Sequence, residues 1–268
     1  MALQIIGVIL FVLGLILYRV RRRSEYKLIS YTIAREAKIA DLKTEFEEVS
    51  QGGIGKGHYK QLIALHGTID SPKPLISELS KTPCVKYRMV IDRTWEEEYE
   101  ERNERGQIEK KSRQGTTPVA QNEQQQPFYI RDETDSIRVS PEGAKIELQK
   151  VLDRFEPEPS ATTISIGNFK LQVSGTPAGN RRYLGYHYQE WIFPIGQRVY
   201  IHGEVSDSGG ELTFQKPSET STKEPYIITL KSKSELINST SKSIKILHYF
   251  TCFSFAIGAI LLLLGLLK

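Results

Sequence analysis

A chain of 268 residues with 39% hydrophobic and 25% charged side chains can enclose a globular core, but its apolar residues crowd into two uncharged stretches at the ends. The net charge of +4 is small and sits largely beside those stretches. No basic stripe interleaved with aromatic residues occurs elsewhere, which excludes a nucleic-acid surface.

The first stretch, "ALQIIGVILFVLGLILY" from Ala2 to Tyr18, carries no charge. As a helix it spans roughly 25 Å, close to the hydrocarbon thickness of a bilayer. A cleaved signal peptide carries its positive charge before the apolar run, whereas here "RVRRR" follows at Arg19 to Arg23. Positions 1–20 are therefore predicted as a retained transmembrane helix. Positions 21–50 are predicted as a juxtamembrane amphipathic helix. Within it "ISYTIAREAKIADLKTEFEEV", Ile29 to Val49, has an apolar stripe at helical spacing through Ile33, Ala37, Ala40, Leu42, Phe46 and Val49.

"QGGIGKG", Gln51 to Gly57, ends that helix and lacks the spacing of a phosphate loop. From Tyr59 to Ile69 the period drops to two: Ile63, Leu65 and Ile69 share a parity with Gly67. The same arrangement returns at Val199, Ile201, Gly203 and Val205. Glycine inside a strand permits a bend or a close backbone approach, so a curved sheet is expected. His66 and His202 precede the two glycines on the opposite parity and are expected as partly exposed sheet histidines that could contact a ligand or partner. No short metal-ligand spacing links them to His58 or His187.

Cys84 opens a further strand, "CVKYRMVID". The other cysteine, Cys252, lies in the second apolar stretch, so no disulfide is expected, and a buried apolar role suits Cys84 better than a nucleophilic one. Positions 96–126, dense in charge and then in glutamine, offer little core material and are expected as a polar insertion forming a mobile excursion between strands. Short strands with Asp, Ser, Pro and Gly turns follow from Pro127 to Leu148, and "EPEPS", 156–160, is a predicted linker. Trp191 and Phe193 supply core surface before the turn at Pro194 and Gly196. Glu190 is a surface acceptor, half of an internal ion pair, or a ligand contact.

Positions 235–245 are polar and helix-capable, and 246–267, including "YFTCFSFAIGAILLLLGLL", form a second predicted transmembrane helix. Arg19, Arg21, Arg22, Arg23, Lys27, Lys242 and Lys245 all lie on the inner flanks of the two spans. The positive-inside tendency then places the central domain in the cytoplasm and both termini across the membrane. Gly7, Gly14, Gly258 and Gly265 permit the two spans to approach closely as a hairpin. The expected fold class is thus a membrane-anchored α+β protein, with two terminal transmembrane helices flanking a curved antiparallel β-rich domain of OB-like character.

The ordered segments "PLISELSKTPCVKYR", "PFYIRDETDSIRVSPEGAKI" and "YQEWIFPIGQRVYIHGEV" resemble the GIDE-type, or beside-a-membrane, domain of the membrane-bound mitochondrial and chloroplast E3 ubiquitin ligases. The resemblance covers about Val49 to Ser234, within a predicted domain at 51–234. Pro83, Cys84, Tyr87 and Arg88 match the first motif. Pro127, Asp132, Val139, Pro141 and Gly143 match the second, and Glu190, Pro194, Gly196 and Gly203 the third.

The resemblance implies a module that engages partners or substrates, not catalytic groups. Family ligases continue past the second anchor into a zinc-binding RING, whose Cys and His ligand set is not found here. The expectation is a membrane-tethered, prokaryotic relative acting as a scaffold without autonomous ubiquitin transfer, named a ligase by resemblance alone. An accessory subunit, an undetected membrane enzyme and a lipid-binding module are the alternatives. No cofactor or metal site is expected. An unknown membrane or cytoplasmic protein is the expected partner, with anionic-lipid contact and self-association compatible with the sequence.

Overall fold

Both apolar ends fold as helices that run without a break into the β-rich head. The computed structural model describes residues 2–51, 57–157, 163–166, 169–172, 180–208, 210–217 and 224–266. The N-terminal part holds α1 (Ala2–Ile33), β1 (Arg35–Glu36), α2 (Ile39–Gln51), β2 (Lys60–Asp70) and β3 (Leu75–Ile76). Then come β4 (Pro83–Arg102), β5 (Ile108–Gln125), β6 (Phe128–Arg131), β7 (Ser136–Val139), β8 (Lys145–Ile146) and β9 (Gln149–Pro157). The chain finishes with β10 (Thr163–Ile166), β11 (Phe169–Gln172), β12 (Arg181–Pro194), β13 (Arg198–Ser206), β14 (Thr213–Gln215), β15 (Ile227–Thr229) and α3 (Lys233–Leu266).

α1 and α3 are each long and apolar enough to cross a membrane. They pack against one another where small residues let the backbones meet: a Cβ on Gly7 would lie 3.1 Å from the carbonyl oxygen of Gly258. Gly14 faces the Phe255 ring and Gly265 faces Gln4, so all four glycines sit at the helix contact. Polar groups tie the pair as well. Gln4 donates to the Gly265 carbonyl at 3.0 Å, and Ser254 donates to the Leu10 carbonyl at 2.6 Å.

The amphipathic segment expected as one helix from Ile29 to Val49 is two. α1 stops at Ile33, Arg35 and Glu36 pair in parallel with Ile63 and Ala64, and α2 begins at Ile39. A turn remote in sequence supplies the new helix start. The Asp132 carboxylate accepts from the Ile39 N–H at 2.8 Å, and the Thr134 hydroxyl accepts from the Ala40 N–H at 3.1 Å, which satisfies donors that a helix N-terminus otherwise leaves open. Lys43 then pairs with Asp135 at 2.6 Å. Burial raises the Asp132 pKa, but bonds from the Thr134 hydroxyl and from the Ile39, Asp135 and Thr134 amides outweigh it and hold the carboxyl below its ordinary value.

The chain divides into two compact units. The first contains residues 1–68, 130–145 and 198–268. Its strands close a ring, β2-β6-β7-β14-β13 and back to β2 through the β2–β13 ladder. β7 and β14 run parallel while β13 is antiparallel to both β14 and β2. Numbered within the ring, this is the 1-2-3-5-4-1 order of an OB-type barrel. Ile63, Leu65, Ile130, Ile137, Val139, Val199, Ile201, Val205 and Phe214 fill it.

The period-two reading of β2 and β13 holds for these inward residues, but β13 is buried on its other face too. Tyr31 from α1 and Leu236 from α3 pack there with Tyr200, Ala64 and Ile227. Each large side chain so covered contributes about 1.5–3 kcal/mol.

The second unit contains residues 69–129 and 146–197, two excursions from the barrel strands. Its sheet is ordered β3-β4-β12-β9, with β5 paired along β4. The polar tract 96–126, expected as a loop-like excursion, is instead the outer half of the β4–β5 ribbon, paired from Lys86↔Gln125 to Arg102↔Ile108. A two-stranded ribbon needs no hydrophobic core where cross-strand pairs compensate the charge. Here Arg113 pairs with Glu97 at 2.6 Å, Lys111 with Glu101 at 2.6 Å, and Arg182 of β12 with Glu96 at 2.8 Å. Trp95 lies across Gly115, with Arg181 4.3 Å from its ring. The predicted linker 156–160 is strand through Pro157, and the rest of it lies outside the described residues.

Candidate functional site

On the barrel unit, β2 and β13 are neighbours, as the matching glycine patterns allow, with His66 opposite Tyr200 and His202 opposite Ala64. His66 is half-buried, its ring 5.0 Å from that of Tyr200. Burial pushes its pKa below the ordinary histidine value. It opens onto a pocket of about 830 Å³ whose other charged walls include Lys38, Arg131, Asp132, Glu133 and Arg198. Most of these charges are committed: Lys38 pairs with Glu133 at 2.8 Å, and Asp132 caps α2. His66 and Arg198 are among the lining groups that can meet a ligand. A hydrogen-bonded nucleophile and base, the arrangement of covalent catalysis, is not among the described residues of the pocket.

His202 departs from expectation, being fully buried and not partly exposed. The end of α1 covers it: Nε2 is 2.9 Å from the Ser30 hydroxyl, and the Tyr31 ring meets the imidazole edge-on at 5.7 Å. Ser30 spends its only hydroxyl proton on Glu224, at 2.5 Å, so the histidine contact is completed by Nε2–H donating. Nδ1 is then a bare acceptor with no partner among the described residues. Burial, followed by the charge of Lys233, lowers the His202 pKa to about 4. A ligand contact is closed to this side chain. Its role is to join α1 to the barrel, and its partners, far away in sequence, left no local signal.

Glu190 is likewise fully buried, in the second unit. Its two carboxylate oxygens accept from the Leu79 N–H at 2.7 Å and the Ser80 N–H at 2.8 Å. It thereby holds the turn that a Ser77–Thr82 backbone bond closes at 3.1 Å. Cys84 packs close by with Tyr87, Ile192 and Leu75. Burial and then the Glu190 charge push its thiol up to about 11, so it stays protonated and unreactive at neutral pH. Cys84 and Cys252 are both free. Glu190→Gln keeps one backbone acceptor and leaves the other N–H unpaired, an expected loss of about 2 kcal/mol. Denaturant unfolding checks this, and a wild-type midpoint would refute the capping role.

The remaining motif positions shape the two units. Tyr87 donates to Glu78 at 3.2 Å, and Arg88 lies 5.7 Å from the Trp191 ring. Pro83 pairs with Ile76, and Pro194 meets Cys84 at a register shift. Pro127 separates β5 from β6. Gly196 adopts a left-handed conformation, φ 76°, and donates to the Ile69 carbonyl at 2.8 Å. Gly143, φ 72°, lies in the turn that Ala144 and Pro141 close, while Val139 pairs with Phe214 in the barrel. Gly203 leaves room for the Tyr226 ring, which a Cβ would meet at 2.5 Å. Among the described residues no group of three His, Cys, Asp or Glu side chains is placed to hold a metal ion.

Two helices of membrane-spanning length, a closed barrel and a second sheet carrying a charged ribbon define a bilayer-type protein with a β-rich head. A family model described as GIDE, E3 ubiquitin ligase, matches residues 96–265, more than half of the chain, and the protein belongs to that family. The match begins inside β4, after the first of the three sequence motifs and before the other two, and extends through most of α3. No curated protein and no solved structure matches the chain significantly.

Proposed function

We propose that this chain is a two-pass membrane scaffold whose head stands on the cytoplasmic side and docks a partner protein beside the bilayer. The observation that carries the reading is the junction between anchor and head. α1 and α3 do not end at the membrane but continue until Tyr31 and Leu236 are buried on the barrel with Tyr200. A head attached by two packed helices is fixed in orientation and height, which suits docking and is superfluous for a freely diffusing enzyme. The buried, protonated Cys84 and the backbone-bound Glu190 also favour recognition over transfer chemistry. On this reading, ubiquitin transfer in a complex is the work of another chain.

The β4–β5 ribbon is the natural docking arm, with Tyr99 exposed on it among alternating charges. A photo-crosslinker at position 99, activated in intact membranes, is expected to give one discrete protein adduct. A crosslinker at the exposed Ile76 serves as comparison. Adducts with lipid only, or none from properly inserted protein, would overturn the docking reading. Protection of the head from cytoplasmic protease would overturn the orientation.

A further inference from the structure

We propose that the pocket beside β2 takes the carboxylate of an acidic residue in a peptide segment, with Arg198 and His66 as the groups that bind it. The inference rests on the docking reading for the source of the peptide and names the chemistry that a partner presents to the barrel unit. Sheet register supplies the geometry. Arg198 of β13 stands directly opposite Thr68 of β2, and residues so placed project from the same face. His66 lies two positions before Thr68 and shares that face. The two side chains are thus diagonal neighbours, roughly 7–8 Å apart at their origins, a span that one carboxyl group bridges by accepting from both.

Both residues line the same pocket of about 830 Å³. Neither side chain has a hydrogen bond or ion pair to a described residue; the His66 ring only rests against that of Tyr200, at 5.0 Å. A neutral imidazole keeps one N–H to donate, and a guanidinium offers a fork that matches a carboxylate.

The charge on the walls selects the anion. They carry three cations, Lys38, Arg131 and Arg198, against four carboxylates, Glu36, Asp41, Asp132 and Glu133. Lys38 and Glu133 pair at 2.8 Å, and Glu36 is met by Lys233 of α3 at 2.8 Å. Asp132 is held by the Ile39, Thr134 and Asp135 amides and by the Thr134 hydroxyl, while Arg131 has an interaction of its own. Asp41 lies in the first turn of α2, where the helix dipole favours a negative charge. Arg198 therefore balances one negative charge on a ligand, and the four carboxylates oppose a second. A carboxylate brings one and a phosphate close to two.

Size points to a peptide. A volume of about 830 Å³ falls toward the upper end of the roughly 300–1,000 Å³ of sites that enclose whole organic ligands, and far exceeds what a lone carboxyl group fills. It accommodates the neighbours of an acidic residue as well.

Binding is measured by ligand-observed NMR on the full chain in detergent. The probes are the capped pentapeptide acetyl-Ala-Ala-Glu-Ala-Ala-amide and its counterpart with a central Gln. The glutamate peptide is expected to bind roughly ten-fold tighter or more. Arg198→Gln is expected to remove that preference and His66→Gln to reduce it. Lys242→Gln, which takes the same charge from an exposed position on α3, is expected to keep it.

Equal binding of the two peptides to wild type overturns the carboxylate, and this comparison decides even where a variant does not fold. A preference intact in folded Arg198→Gln overturns the site. Tighter binding of the phosphoserine counterpart overturns the choice of anion and makes phosphate the occupant. Competition by propionate at the peptide's own concentration overturns the peptide and leaves a small carboxylic acid in its place. The crosslink at position 99 reads separately: its failure refutes docking, while the peptide preference is still measured on purified protein.

Discussion

Gly67→Ala is expected to destabilise the barrel by on the order of 3 kcal/mol or more, a large fraction of the 5–15 kcal/mol that holds a typical domain together. A Cβ at this position would lie 2.3 Å from Ile130 Cγ2 and 2.8 Å from the Arg131 carbonyl oxygen. The first contact cannot be relieved by a swinging side chain, because Ile130 is fully buried inside the barrel. The second is with backbone of β6, the ring neighbour of β2, so relief requires the two strands to part. Denaturant unfolding in detergent measures the loss. Thr68→Ala, at the exposed adjacent position, is expected to stay within about 0.5 kcal/mol of wild type. A Gly67→Ala protein as stable as this control would mean that β2 and β6 are not held at the observed distance.

Acidification is the second large effect. His202 has a folded pKa of about 4 against the ordinary 6.5. Above pH 6.5 the imidazole is neutral in both folded and unfolded chains and the full stability is present. Between 6.5 and 4 the unfolded chain takes up a proton that the folded chain refuses, so stability falls with pH, by about 1.4 kcal/mol per unit and about 3 kcal/mol in all. Geometry explains the refusal. A proton added at Nδ1 creates a buried N–H with no acceptor among the described residues, while Lys233 opposes the charge and the Glu224 carboxylate is reached through Ser30.

Unfolding free energies measured from pH 7 to pH 4 should therefore decline more steeply for wild type than for His202→Gln. Parallel curves would show that this histidine is not the buried neutral group between α1 and the barrel. The depressed carboxyl of Asp132 adds to acid sensitivity at lower pH, since, unlike His202, it is stabilised in its charged form and loses that stability as pH falls through its folded pKa.

The two predictions concern residues that the sequence singled out for different reasons, and the difference is informative. Gly67 was readable because a missing side chain in an otherwise apolar alternation marks a close approach whatever the partner. His202 was readable only as a polar residue on the outward parity of a strand. Its burial depends on α1 returning across the barrel from far earlier in the chain, with Ser30 172 positions away. Asp132 and Glu190 show the same limit. Their residue types marked them as acceptors, but the amides they serve, at Ile39 and at Leu79 and Ser80, belong to other elements.

By itself the sequence determined the two apolar helices, the glycines between them, the inward alternation of β2 and β13, and the family to which the module belongs. These are properties of composition and local period, which physics reads along the chain. Only the tertiary structure decided that the barrel ring closes, that the charged tract 96–126 is a paired ribbon, that α1 and α2 are separate helices, and which acidic groups cap which turns. Each of these depends on hydrogen bonds or burial between residues many positions apart, where the energy lies in the partner and not in the residue that awaits it.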